Sequence, residues 1–420
     1  MKILLSAFYC EPGQGSESAV GWNFVQQIAR FHDVWVVTWG RQQQAIEREL
    51  SMLPLPNAHF VYVDLPLWRK LWGLGRAGKY AFYYLWQVAA YLAARRLHCR
   101  EMFDLVHHLT VGGFWYPTLL PFLPVPFVWG PVGTGLPCPT AFHREFSLYG
   151  KVDELVRQVV LAVSRLDPIR RHTEKRASVI LSVSPMTVGQ LRPENRKKAI
   201  VLSQVGVDRK EIAELPRKAP RSGKCFRLLS VGRLLHWKGF AVGIKAFALL
   251  NKQYPNSEYR IIGDGSEHGK LSELASSLGL SNVVQFLGTV SRKEYLYELL
   301  HSDLLVHPGL HEPGAYVIAE AMAVGLPVIC LDYGEPASIV TPETGFIVPM
   351  SDPERVAADI SLTCAQMVAN PSLCDRMGNA GRQRISDAFE WEKKAGFLFS
   401  IYENVGRQVD PCGKCKYSSS

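Results

Sequence analysis

Short apolar runs along this chain are each followed by a polar loop containing glycine or proline, and then by a longer stretch with apolar residues at helical spacing. Lys2 to Ala7 predicts a first strand, Phe8 to Ser18 a loop with Pro12, Gly13 and Gly15, Ser18 to Arg30 a helix, and Val34 to Thr38 a second strand. Strand, glycine-bearing loop, helix and strand make a βαβ unit, in which ligands bind beyond the carboxyl ends of the strands. The loop E-P-G-Q-G-S-E, with Gly15 and Ser16, therefore sits where phosphate binders sit; it can also be read as a plain turn into a helix capped by Ser16 or Ser18. Phe103 to Thr110 predicts a further strand that ends in His107 and His108. Adjacent strand residues point to opposite faces, so the doublet leaves open which of the two faces a ligand. Phe127 to Trp129 runs into the glycine-rich loop Trp129-Gly-Pro-Val-Gly-Thr-Gly135, residues 144–178 look helical and basic, and Val179 to Val183 reads as a strand.

A second βα series follows the polar, basic, proline-bearing segment 209–224. The implied organisation is a first domain over 1–205, a linker over 206–224, a second domain over 225–405 whose last helix is a candidate to pack back on the first, and a polar tail over 406–420. Two such arrays joined by one linker predict an α/β protein of two Rossmann-like parallel-sheet domains facing each other across a cleft.

The second series carries the denser chemistry. Arg227 to Val231 predicts a strand, and Arg233 and Lys238 follow it among glycines before the helix Phe240 to Leu250. That placement suits two phosphoryl groups, since an arginine grips bidentately and a lysine acts as a point charge. Farther on, Leu304 to Val306 predicts a strand, Pro308 to Gly314 a turn, and Ala315 to Val324 a helix stopped by Gly325 and Pro327. Glu312 lies in the turn and Glu320 about two helical turns beyond it. Side chains lean toward a helix N-terminus, so Glu320 is expected to point back to the Glu312 loop and to border the same cavity. Carboxylates there would accept hydrogen bonds from sugar hydroxyls, and the N–H groups of the helix start, at Gly314 and Ala315, would receive an anion.

Composition narrows the classes. The chain has 420 residues, 47% of them hydrophobic, enough for a large core. Nine scattered cysteines predict a reducing, cytoplasmic setting, and Met1-Lys2 leads directly into a strand-like run and not a signal peptide. Cys412-x-x-Cys415 has no second ligand pair nearby, and the tail around it is expected to be disordered. Residues 1–205 hold 23 Lys and Arg against 14 Asp and Glu, whereas 206–420 hold 24 of each, so the net charge of +9 belongs to the first half. Within it, residues 65–100 combine Trp68, Trp72 and Trp86 with seven basic residues and no acidic one. The uncharged run Tyr80 to Ala94 is too short to span a bilayer. It fits a peripheral contact with an anionic membrane surface and an internal helix of a Rossmann-type domain about equally. No nucleic-acid-binding motif accompanies it.

Glu312-x7-Glu320 followed by Ala-Met-Ala-x-Gly-x-Pro-Val resembles the signature of the retaining, nucleotide-sugar-dependent glycosyltransferases of the group 1 (family 4) type, which have the GT-B fold. Gly15-Ser16-Glu17-x-x-Gly21-Trp22 resembles the G-S-E-x-x-G-W start of one branch of that family, Gly232-Arg233-x4-Lys238-Gly239 its basic pair, and Asp104 to Thr110 its histidine-bearing strand end. The resemblance implies roles for these residues. Gly15 and Ser16 would approach the donor diphosphate, Arg233 and Lys238 the leaving diphosphate, and Glu312 the sugar. Glu320 would hold the ribose, and His108, with His107 as the alternative, would face the transferred sugar. It implies a nucleotide diphosphate sugar as donor, no prosthetic group or metal, and a glycan or lipid-linked acceptor in surface polysaccharide assembly. A weakly catalytic nucleotide-sugar-binding subunit and a sugar phosphorylase of the same fold are the alternatives. Three stretches depart from the pattern: Gly309 stands where serine is usual, Pro313-Gly314-Ala315 replaces a more glycine-rich run, and Tyr333-Gly-Glu335 replaces a Gly-Gly pair.

Overall fold

The computed structural model describes residues 1–116, 118–133, 135–208, 225–312 and 314–407. The proposed linker segment 209–224, Pro313 and the Cys412/Cys415 tail lie outside the described residues. Among the described residues thirteen strands form two sheets, and every pairing within them is parallel. The first holds β1 (Lys2–Ser6), β2 (Asp33–Trp39), β3 (Ala58–Val63), β4 (Leu105–His108), β5 (Phe127–Val132), β6 (Ala177–Ser182) and β7 (Ala199–Val201) in the order β3-β2-β1-β4-β5-β6-β7. The second holds β8 (Phe226–Val231), β9 (Ser257–Ile262), β10 (Val284–Gly288), β11 (Leu304–His307), β12 (Val328–Leu331) and β13 (Gly345–Val348) in the order β10-β9-β8-β11-β12-β13. Helices cover such sheets on both faces, which is why β4, β11 and β12 are buried at every position and do not alternate. In each sheet the strand order reverses beside the first strand, at β1/β4 and at β8/β11. A parallel sheet opens a crevice beyond the strand ends at such a point.

The chain divides into two compact units, 1–135 with 159–204 and 391–420, and 136–158 with 205–390. The sequence reading placed 136–158 with the first domain. Their contacts are with the second unit because Phe142 and Phe146 join its core, Lys245 pairs with Glu145 at 2.7 Å, and Ser147 donates to Glu267 at 2.8 Å. The helix Trp391–Arg407 packs within the first unit: Trp391 meets the Phe24 ring, and the Lys394 ammonium donates to the Ser203 carbonyl at 2.6 Å.

The aromatic stretch inside residues 65–100 forms the helix Gly75–Glu101. Its inner face, with Phe82, Tyr83, Trp86, Ala90 and Ala94, is core of the first unit, and the Trp86 indole donates to the Val63 carbonyl. Residues 144–178 form two helices, Leu148–Ser164 and Pro168–Arg176, broken where Asp167 accepts the Ile169 N–H and Pro168 starts the second. Among the described residues no helix is long and apolar enough to cross a membrane.

Candidate functional site

At the switch point of the second sheet, two loops meet. The loop after β8 passes through Arg233 and a 3₁₀ turn, His236–Lys238, to Gly239, whose φ of 69° is left-handed. A Cβ there would come within 1.9 Å of the Pro308 carbonyl oxygen, so only glycine lets the β8 loop approach the β11 loop this closely. The Leu310 N–H donates to the Trp237 carbonyl at 2.8 Å and ties the two together.

On that scaffold the Lys238 ammonium forms an ion pair with the Glu312 carboxylate. Glu312 is 5% exposed, and His307 Nε2 lies 4.0 Å from its Oε1. Burial pushes the His307 imidazolium down to a pKa of about 4, so this ring is neutral at physiological pH, and Lys238 is the cation paired with Glu312. Gly309 gains a physical reason: a Cβ at this position would fall 2.7 Å from Glu312 Cγ, so its bare backbone makes room for the carboxylate. Gly334 and Glu335 back the same residue, with the Glu335 N–H on the Glu312 carbonyl at 3.4 Å. Arg233 is exposed beside this pair in sequence, and Gly314 and Ala315 lead into the helix Tyr316–Val324. Ala315 at its N-cap makes no side-chain cap.

Glu320 lies on that helix in different surroundings from Glu312. Arg292 donates to its Oε1 at 2.5 Å and the Tyr295 hydroxyl to its Oε2 at 2.7 Å, with the Arg292 guanidinium over the Tyr295 ring. Arg292 and Tyr295 belong to the neighbouring helix Arg292–His301, and no spacing rule in the sequence pointed to them.

The switch point of the first sheet carries the Glu17 carboxylate and strained backbone. The helix Glu17–Ile28 starts after Ser16, whose φ of 60° is left-handed and whose side chain makes no cap. Ser18, the other cap candidate, lies inside the helix. Gly15 has open space around it. Glu17 accepts the Val111 N–H at 2.8 Å, and Val111 is itself left-handed at φ 64°. A carboxylate on the helix thus holds the loop that follows the histidine strand, and two residues in costly backbone conformations meet there. Gly21 sits where a Cβ would strike the Tyr9 carbonyl at 2.0 Å.

The two histidines of β4 divide their roles. His107 is consumed internally: Nδ1 meets the Tyr402 hydroxyl and Nε2 the Gly130 carbonyl, both at 2.6 Å. His108 is 1% exposed, and neither ring nitrogen has a hydrogen-bond partner among the described residues. Burial, and the neighbouring His107, push its pKa down to about 3, so it is a neutral ring with unspent capacity to donate and accept.

Comparison with known proteins agrees with this geometry. Residues 211–384 match the family model of the glycosyl transferases group 1. The chain is 28% identical to the glycogen synthase of Mycobacterium tuberculosis over 186 residues, 44% of this chain and 44% of that protein. It is 32% identical to the lipopolysaccharide core biosynthesis glycosyltransferase LpsE of Rhizobium meliloti over 189 residues, 45% of this chain and 51% of that protein. The alignments thus span about half the length of these curated relatives. In structure, HepE of Anabaena, solved in complex with UDP, superposes with a TM-score of 0.64 at 19% identity, covering 96% of this chain and 100% of that one. The chain therefore has the GT-B fold, and its residues 211–384 are similar to the glycosyl transferases group 1.

Proposed function

We propose that the protein is a retaining glycosyltransferase that moves a sugar from a nucleotide diphosphate sugar to an acceptor hydroxyl. The observation that carries the reading is the convergence, at the β8/β11 switch point, of a buried carboxylate, its lysine and a helix start without a side-chain cap. Breaking the bond between the anomeric carbon and the diphosphate leaves negative charge on the departing phosphate. Lys238, Arg233 and the N–H groups near Gly314 and Ala315 are the donors that would stabilise it. Glu312 would turn from Lys238 to the sugar hydroxyls, and Glu320, held in place by Arg292 and Tyr295, would accept from the ribose. From the first unit, His108 would present its neutral ring to the transferred sugar, and Gly15 and Ser16 their backbone to the diphosphate. UDP in the Anabaena neighbour supports a nucleoside diphosphate ligand, and the lipopolysaccharide role of the Rhizobium relative supports an acceptor in surface glycan assembly at the cytoplasmic face of a membrane.

The test is transfer from a panel of UDP-, GDP- and ADP-sugars to lipid-linked and oligosaccharide acceptors, with the anomeric configuration of the product read by NMR and each reaction repeated with chelator. Transfer with retention that survives chelation is expected. Inversion would remove the retaining assignment, and donor binding without turnover would favour a second reading, a nucleotide-sugar-binding subunit, to which the Lys238–Glu312 self-pairing also lends support.

A further inference from the structure

The helix Leu148–Ser164 is built inside out. Three of its four charged residues face the protein, Lys151 being the exception: Glu154, 1% exposed, accepts the Cys138 N–H at 2.9 Å and binds Arg157 at 2.8 Å, Arg157 also donates to the Leu136 carbonyl, and Asp153 lies 3.8 Å from His236. Its apolar residues face water. Leu148, Val152, Leu155, Val159 and Val163, continued by Leu166, recur at helical spacing and are each more than half exposed, up to 83% at Leu166. The stripe runs for about 25 Å, the length of the helix. Singly exposed leucines are ordinary, but a continuous apolar stripe on a helix whose polar face is already satisfied marks a surface that meets something apolar.

Its surroundings identify the occupant. Within residues 148–176 five basic side chains, Lys151, Arg165, Arg171, Lys175 and Arg176, are exposed, and none of the four acidic ones is. The stripe also continues across the first unit. The Tyr84 hydroxyl of the long Gly75–Glu101 helix bonds Asp167, and half-exposed Phe122 stacks on His172 at 4.3 Å and meets Tyr91 of that same helix edge-on. A second copy of the chain set against this face would bring cations onto cations, which a self-complementary contact does not tolerate. An anionic bilayer satisfies both halves of the pattern, with apolar side chains entering the acyl boundary and cations the phosphate layer. We infer that the outward face of Leu148–Leu166, flanked by Arg165 and Arg171, docks the protein flat on an anionic lipid surface. Within residues 65–100 the outward side of the long helix borders this surface, while its aromatic inner side is core.

This inference gives the membrane-borne acceptor of the proposed function a point of attachment. It fails separately from that function, because vesicle binding and donor binding are read apart. The experiment is co-sedimentation of the full chain with vesicles of phosphatidylcholine alone and of phosphatidylcholine and phosphatidylglycerol in equal parts, at low and high salt. The expected result is binding to the anionic vesicles that weakens with salt. It should also weaken at least about tenfold in Leu155→Asp/Val159→Asp and in Lys151→Glu/Arg171→Glu, while both variants keep the wild-type circular dichroism and Tm. If the aspartate pair does not fold, Val152→Ser/Leu155→Ser is read in its place. Indifference of the wild type to anionic lipid overturns the inference. So does undiminished binding by the variants, loss of binding only through Leu67→Ser/Trp68→Ser, or a wild-type dimer that the aspartate pair disperses.

Discussion

The two switch points share one topology and differ in almost everything chemical. Both lie where a parallel sheet reverses its strand order, and both are fed by a glycine-bearing loop and a helix start. The second is charged: the Lys238–Glu312 and Arg292–Glu320 pairs and exposed Arg233 supply ionic groups on a backbone locked by Gly239 and Leu310. The first has a neutral histidine with both nitrogens unspent, beside a loop that Glu17 holds in left-handed backbone. The fold supplies two crevices of one topology, and side chains set their chemistry apart.

Lys238→Ala breaks the comparison most severely. It removes a phosphate cation and strands the Glu312 carboxylate, and transfer should fall by about a hundredfold to a thousandfold, with a stability loss of about 3 kcal/mol by denaturant titration. Unchanged turnover would detach Lys238 from the chemistry. The histidine doublet gives the next contrast. His108→Ala should cost about a hundredfold in rate while leaving Tm within a few degrees, because the ring makes no internal hydrogen bond. His107→Ala should do the reverse and cost about 2–4 kcal/mol, because the Tyr402 hydroxyl and the Gly130 carbonyl are left buried without it. Gly309→Ala should raise the donor KM about tenfold by pushing the Glu312 side chain aside, an effect visible in initial rates.

The histidines also set a pH dependence of stability. His107, His108 and His307 have folded-state pKa values lowered by burial to about 4, 3 and 4 from an ordinary 6.5, and His311 lies well below its usual range. The unfolded chain therefore takes up protons first as pH falls. Stability is fully present above pH 6.5 and drains away toward pH 4, on the order of 1–2 kcal/mol per histidine by pH 5. A thermal melt series should show Tm falling over that window, with a shallower fall in His108→Gln. A flat profile would mean that these rings are not held neutral.

The sheets were legible because strands buried on both faces appear as apolar runs, and the glycines after β1 and β8 marked the crevices. The division of labour between His107 and His108 was not legible, because it depends on Tyr402, 295 residues away. Nor did any local pattern reveal Arg292 and Tyr295 around Glu320, since they come from an adjacent helix. The expectation that Glu312 and Glu320 border one cavity rested on helix geometry alone, and the structure gives each its own cation. Helical spacing in 144–178 was visible, but which side faces inward depended on Glu154 finding Arg157 and the Cys138 N–H.

The central claim is that a nucleoside diphosphate binds at the second switch point with its ribose on Glu320. Calorimetric titration of UDP, GDP and ADP into the wild type and Glu320→Ala tests it directly. The account predicts that one of them binds and that the substitution weakens it about tenfold, a loss of about 1.4 kcal/mol. Absence of binding by all three, or an unchanged Kd in Glu320→Ala, would contradict it.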